Sequence, residues 1–262
     1  MKKRLTRSAL VSAVLVAALA LTGCASTSTT AATSTAETAA ASANASASPS
    51  VSATTCNTAS AVDTSGASAA DAGMQAEGAW GKGDYATALA WAKVAADGGD
   101  SRGQRILGIL YLDGQCTDKD YAQALTLLKK ATSAGDMKAP RYVGQIYTDG
   151  LGVTEDPAKG AEYYQTGVDR GDISSMVALG DLYGAGSGVT QDYAKALELY
   201  TKAAERADHV GAPAMAAIGR LYEKGLGVTK NLSTAEEWYR KAIAAGDTSA
   251  QTDLDRVLAA QK

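Results

Sequence analysis

A 36-residue period runs through residues 101–247 and limits what the chain can become more than any other feature. The stretch 173–208 lies position by position on 137–172 and on 101–136. It also matches 212–247 after an interruption of three residues, His209, Val210 and Gly211. Gly108, Gly144 and Gly180 keep the step of 36, and Gly219 follows Gly180 by 39 because of that insertion. Self-similarity at a fixed period of this size marks a solenoid, whose units bury their apolar faces only against their neighbours.

Each unit divides into two helices. In the first, Leu107, Val143, Leu179 and Ile218 form one aliphatic column, and Leu110, Ile146, Leu182 and Leu221 form a second, three residues on. A spacing of three keeps both columns on one face. The glycine column between them admits the second helix, and Tyr111, Tyr147, Tyr183 and Tyr222 follow at the edge of the core, where a tyrosine can keep its hydroxyl wet. Gly114, Gly150, Gly186 and Gly225 end the first helix. Asp120, Asp156, Asp192 and Asn231 are placed to cap the second, with Pro157 suited to a first helical position. The second helix brings the small column Ala124, Gly160, Ala196, Ala235 and the large pairs Leu127-Leu128, Tyr163-Tyr164, Leu199-Tyr200 and Trp238-Tyr239. Gly135-Asp136, Gly171-Asp172 and Gly246-Asp247 close it.

These residues resemble the Sel1-like repeat: Leu-Gly-x-x-Tyr-x-x-Gly-x-Gly-Val, then Asp, Ala, Trp/Tyr-Tyr and Lys-Ala, closing in Gly-Asp. The match departs at Cys116, Gly160 and the three inserted residues. The resemblance implies an all-α fold, a right-handed α-solenoid of antiparallel helix pairs related to tetratricopeptide arrays. Residues 71–100 read as an atypical tetratricopeptide-like pair with a short turn, followed by units 101–136, 137–172, 173–208 and 212–247. Residues 248–262 read as a closing helix with Leu254, Val257 and Leu258 on one face.

The chain before residue 71 belongs to no core. Residues 1–23 carry Lys2, Lys3, Arg4 and Arg7 before an apolar run from Ala9 to Leu21, the layout of a secretory signal and too short to span a bilayer. Leu21-Thr22-Gly23-Cys24 resembles the lipobox of bacterial lipoproteins, which implies cleavage before Cys24 and acylation of it. Several acyl chains at ~0.8 kcal/mol per buried methylene hold a protein stably on a membrane. Ala25, where an inner-membrane retention signal would place Asp, points to the outer membrane, facing the periplasm, in a Gram-negative host. Residues 24–70 are almost entirely Ala, Ser and Thr and cannot bury enough apolar surface to offset their conformational entropy. They read as a disordered tether with a coil span of roughly 35–40 Å.

Loss of the leader removes four basic residues and no acid, leaving 21 basic against 28 acidic residues. An acidic chain without a basic tail argues against nucleic acid as partner. Cys56 and Cys116 remain as the two cysteines outside the anchor. They can pair in an oxidising compartment or stay as separate thiols, since sequence alone does not settle connectivity.

Catalytic readings are weak. The glycine loops follow helices and lack the Gly-Lys-Ser/Thr of a phosphate cradle, and the repeated Asp are more simply caps. His209, the single histidine, stands in a lengthened turn, and no hydrolase motif surrounds it. The expectation is a non-enzyme with no cofactor and no metal. A solenoid instead offers a concave surface lined by its first helices. By resemblance to tetratricopeptide units the groove positions are Arg102, Arg105 and Ile109; Lys138, Arg141 and Gln145; Ser174, Val177 and Asp181; Ala216 and Arg220. Four cations, Arg102, Arg105, Lys138 and Arg141, stand on adjacent helices and would suit an acidic segment of a partner protein. The function expected is a lipid-anchored protein-interaction scaffold of the cell envelope. The alternatives are an immunity lipoprotein that neutralises a secreted toxin and, more distantly, an envelope hydrolase.

Overall fold

The computed structural model describes Cys56 and residues 62–262. The leader, Cys24 and most of the Ala/Ser/Thr-rich tether lie outside the described residues. Within them the chain forms eleven α-helices and no strand. Five antiparallel pairs follow one another: α1 (Ala69–Gly81) with α2 (Tyr85–Asp97), α3 (Ser101–Asp113) with α4 (Tyr121–Ser133), α5 (Ala139–Thr148) with α6 (Pro157–Asp169), α7 (Ile173–Ala185) with α8 (Tyr193–Ala204), and α9 (Ala212–Lys224) with α10 (Leu232–Ala244). The last helix, α11 (Ala250–Ala260), buries Ala250, Leu254 and Val257 against the fifth pair and closes the array.

Local chemistry sets the boundaries. Asp84, Asp100, Asp120, Asp156, Asp172, Asp192 and Asn231 each stand at a helix start and accept a backbone N–H from the first turn. Such caps contribute about 1 kcal/mol each. The first pair is tighter, with Lys82, Gly83 and Asp84 alone between its helices. Its first helix starts at Ala69 behind a Ser68 cap, two residues before the start read from composition.

Inside each pair the expected columns stack. Leu107, Val143, Leu179 and Ile218 are buried, as are Leu110, Ile146, Leu182 and Leu221. The glycine between them is occupied territory: a Cβ on Gly108 would lie 2.8 Å from Leu128, and on Gly144, Gly180 and Gly219 it would lie 2.6–2.7 Å from the rings of Tyr164, Tyr200 and Tyr239. The large residue of the second helix therefore sits where a side chain on the first would be. Of the edge tyrosines, Tyr147 accepts from Lys129 at 2.8 Å and stacks on Tyr163 at 5.8 Å.

The loops couple consecutive pairs. Gly152, Gly188 and Gly227 have φ of +67° to +69°, and each packs on the start of the preceding pair's second helix, at Tyr121, at Pro157-Ala158 and at Tyr193. Cys116 takes this position in the second pair and is the one non-glycine residue with positive φ among those described, at +56°. It is disulfide-bonded to Cys56, with the Cα atoms 5.3 Å apart across 60 residues of sequence. Closing a loop of that length stabilises a fold by about 2–4 kcal/mol, chiefly by restricting the unfolded chain.

Candidate interaction surface

The first helices, α1, α3, α5, α7, α9 and α11, line one side of the array, and their polar side chains decide what that side can hold. Arg105 is expected at the surface but is only 2% exposed. Its Nε donates to Asp136 Oδ2 at 3.0 Å and its guanidinium also donates to Glu77 Oε1 at 2.9 Å. Lys138 reaches the same Glu77 oxygen at 3.2 Å. Arg102 donates to the Asp100 carboxylate and to the Ala70 carbonyl, both at 3.1 Å. Arg141 donates to Ser174 Oγ at 2.7 Å, with Asp172 3.9 Å away.

The four cations expected to receive a partner's carboxylates thus already hold the protein's own. Three of the acids that take them are the turn aspartates: Asp100 caps α3, Asp136 accepts the N–H groups of Lys138 and Ala139 at the start of α5, and Asp172 caps α7. A long basic side chain on one first helix reaches a turn that opens its own or the next first helix, so the ladder locks neighbouring repeats. Burial works against the charged form of Glu77, but the Arg105 guanidinium and the Lys138 ammonium overcome it and hold the carboxyl below its usual range. Burial likewise opposes the charge on Arg105, and Asp136 with Glu77 more than restores it.

The other groove positions divide. Ile109 is 1% exposed and belongs to the core around Leu110 and Leu128. Ala216 is buried, and Val177 is half-buried against the C-terminal core. Gln145, Asp181 and Arg220 are exposed. Sequence reasoning missed the C-terminal half of the ladder. Tyr200 donates to Asp181 at 2.6 Å and Tyr239 to Glu223 at 2.7 Å. Arg256 on α11 grips Glu223 with two nitrogens at 2.6 and 2.7 Å and reaches Asp253 at 2.8 Å, while Arg220 stands 3.8 Å from Asp253.

The acids of this side that enter no ion pair within 4 Å among the described residues are Asp71 and Asp255 on the outermost helices α1 and α11 and, between them, Asp113 at the end of α3, Asp149 just after α5 and Asp181 on α7. Asp113 and Asp181 are exposed, yet the neighbouring protein displaces part of the water around them. That enclosure pushes both carboxyls above the usual range, against the Lys119 ammonium at Asp113 and against the Tyr200 hydroxyl and Arg220 at Asp181. Enclosure also raises the Tyr164 phenol to about 12, despite the Thr148 hydrogen bond and helped by Asp149 and Asp181. The spare charge of this face is therefore negative. His209, in the turn between α8 and α9, is exposed beside Gly246. Among the described residues no cluster of histidine, cysteine or carboxylate side chains could hold a metal ion.

The Sel1 repeat profile matches residues 67–100, 101–136, 141–172, 173–208 and 212–247, about two thirds of the chain, and the protein belongs to the Sel1-repeat family. The first pair, read from sequence as an atypical tetratricopeptide-like unit, is thus a fifth Sel1 repeat. The chain is similar to c5321, a protective antigen present in uropathogenic Escherichia coli strains and displaying an SLR fold. Identity there is 32% and the TM-score 0.62, over 71% of this chain and 40% of that one. It is also similar to a Sel1 repeat protein from Oxalobacter formigenes, at 27% identity and a TM-score of 0.63, over 72% of this chain and 78% of that one. No curated protein matches the sequence.

Proposed function

We propose that this Sel1-repeat protein is a docking scaffold of the cell envelope, which holds a partner protein against the first-helix side of its solenoid. The observation that carries the reading is Asp181. It is an exposed carboxylate in the middle of that side with no basic group within 4 Å among the described residues, held in place by the Tyr200 hydroxyl, and its surroundings disfavour its ionised form, a combination that recurs at contact sites. With Asp113 and Asp149 it favours a partner segment bearing lysine or arginine. That reverses the acidic partner expected from the groove cations Arg102, Arg105, Lys138 and Arg141, since the protein's own acids occupy them.

Anchoring is part of the proposal. The basic start, the short apolar run and Leu21-Thr22-Gly23-Cys24 support acylation of Cys24, and no helix among the described residues is long and apolar enough to cross a membrane. The Ala/Ser/Thr-rich stretch would set the scaffold's distance from the bilayer, in the periplasm of a Gram-negative cell. On this reading Cys24→Ser shifts the protein out of the membrane fraction, and persistence there removes the anchor.

The docking claim is tested with the full chain carrying a photo-crosslinking residue at Gln145 in its host. The Asp113→Asn, Asp181→Asn double exchange is expected to cut the trapped yield about fivefold to tenfold, the order of two lost charge contacts. Folding supplies the control. The folded pKa of Asp181 lies above its ordinary 3.8, so its contribution to stability is present below that value and is lost as pH rises through the raised one. Asp181→Asn keeps an acceptor for Tyr200 and cannot ionise. The variant should melt at or above the parent temperature at pH 7, and the advantage should vanish near pH 3. A variant less stable at pH 7 with undiminished crosslinking would make Asp181 a structural residue.

A further inference from the structure

The junction that carries the three-residue insertion differs from the one before it. At the junction between the third and fourth repeats, Gly167 faces Ser175 so closely that a Cβ would lie 2.1 Å from the hydroxyl. One junction further on, across the insertion, the equivalent residues are both alanines, Ala203 and Ala214. Beside them a cavity of about 450 Å³ opens on the second-helix side of the solenoid. Ala204, Ala207, Met215 and Ala244 wall it, Trp238 supplies an aromatic side, and Lys241 stands at its edge. The volume lies within the range of sites that hold small ligands or one or two anchoring side chains.

Lys241 gives the cavity a chemical preference. In the preceding repeat, Lys202 bonds Glu198 four residues earlier at 2.7 Å. Lys241 has Glu237 at the same spacing but does not pair with it. Its ammonium instead lies 4.3 Å from the centre of the Trp238 ring, with no carboxylate within 4 Å among the described residues. A cation over an indole face remains free to accept an anion from its open side. An apolar pocket with an unpaired ammonium at its edge is complementary to an apolar group that carries a carboxylate beside it.

We infer that this cavity is a second binding site, which receives the C-terminal residue of a polypeptide, its side chain against Trp238 and Met215 and its terminal carboxylate on Lys241. The inference shares with the docking reading only the premise of a polypeptide partner. It concerns the opposite side of the array, and the Asp113 and Asp181 exchanges leave it untouched.

The test is calorimetric titration of the purified full chain with an N-acetylated pentapeptide ending in phenylalanine, as the free acid and as the C-terminal amide. The acid is expected to bind about tenfold more tightly than its amide, the worth of one charge-assisted contact in a partly dry site. Lys241→Gln should bring the acid down to the level of the amide. Ala244→Leu, at an exposed helical position that lines the cavity, should abolish binding of both with the melting temperature unchanged. Equal binding of acid and amide, no heat at millimolar peptide, or a preference unaltered by Lys241→Gln overturns the proposal. Dodecanoate serves as a third probe: saturable binding of it that displaces the peptide would assign the cavity to fatty acids and overturn the polypeptide assignment.

Discussion

Gly188→Ala is expected to cost about 4 kcal/mol and to split the unfolding of the array into two transitions. Two separate penalties fall on one atom. At φ +68° an L side chain crowds its own backbone, at about 1–2 kcal/mol. The new Cβ would also lie 2.3 Å from the Pro157 carbonyl carbon and the Ala158 nitrogen, backbone atoms that no rotamer change can move aside. Overpacking of that kind costs about 1–3 kcal/mol more. Gly135→Ala is the matched control, since its φ of +87° carries the conformational penalty while nothing lies within 4 Å of the added atom.

The position sharpens the outcome. Gly188 docks the fourth repeat on the third, and a solenoid is stable roughly as a sum of repeats and nearest-neighbour interfaces. Weakening an inner interface should let the two sides melt apart. Urea unfolding followed by tryptophan emission can see this, because Trp80 and Trp91 lie in the first pair and Trp238 in the last. One transition at the parent midpoint would show that the loop has room the structure denies it.

Arg105→Met should cost about 3 kcal/mol, because it strands the carboxylate of Asp136 inside the protein. Asp136 keeps the two N–H groups at the start of α5 and loses the one ion-pair partner it has among the described residues. Arg141→Met is the comparison: its side chain is 26% exposed and Asp172 stands 3.9 Å off, so less than about 1 kcal/mol is at stake. Asp136→Asn on top of Arg105→Met should recover part of the loss, and a double-mutant cycle measures the coupling. The acid limb of the stability profile should flatten too. Glu77, depressed against the effect of its burial by Arg105 and Lys138, supports the fold above its ordinary 4.5 and loses that support as pH falls through the depressed value. If Arg105→Met proves no costlier than Arg141→Met, Arg105 is solvated and the lock is an illusion.

The helix pairs were readable because each rests on a column that recurs with the period: leucine, glycine and tyrosine in the first helix, a cap at each turn, a small residue and a large pair in the second. Repetition averages out local accident, so Gly108, Gly144, Gly180 and Gly219 predicted a close approach that Leu128, Tyr164, Tyr200 and Tyr239 then make. The interaction surface was harder to read. Arg102, Arg105, Lys138 and Arg141 fall on adjacent helices as expected, but a long basic side chain chooses among all acids within reach, and for Arg105, Lys138 and Arg141 the ones they meet are far away in sequence. Arg105 meets Asp136 and Arg141 approaches Asp172 across the same 31 residues. That recurring spacing was visible beforehand and was the usable signal. The Tyr200–Asp181 and Tyr239–Glu223 bonds had none so plain, since 19 residues separate one pair and 16 the other. The inserted residues were read as a longer turn, and the cavity beside them depends on what the neighbouring helices bring to the junction.

The sulfur link between Cys56 and Cys116 has a mechanical meaning. Tension applied to any residue ahead of Cys56 crosses the disulfide and enters the molecule at the loop behind α3, leaving the intervening backbone slack. α1 and α2 are then out of the line of force, and the pull meets the array two helices further in, where Arg105 and Asp136 tie the second and third repeats. Reduction moves the point of attack to Ser68 and α1, the end from which a stack of hairpins unzips most easily.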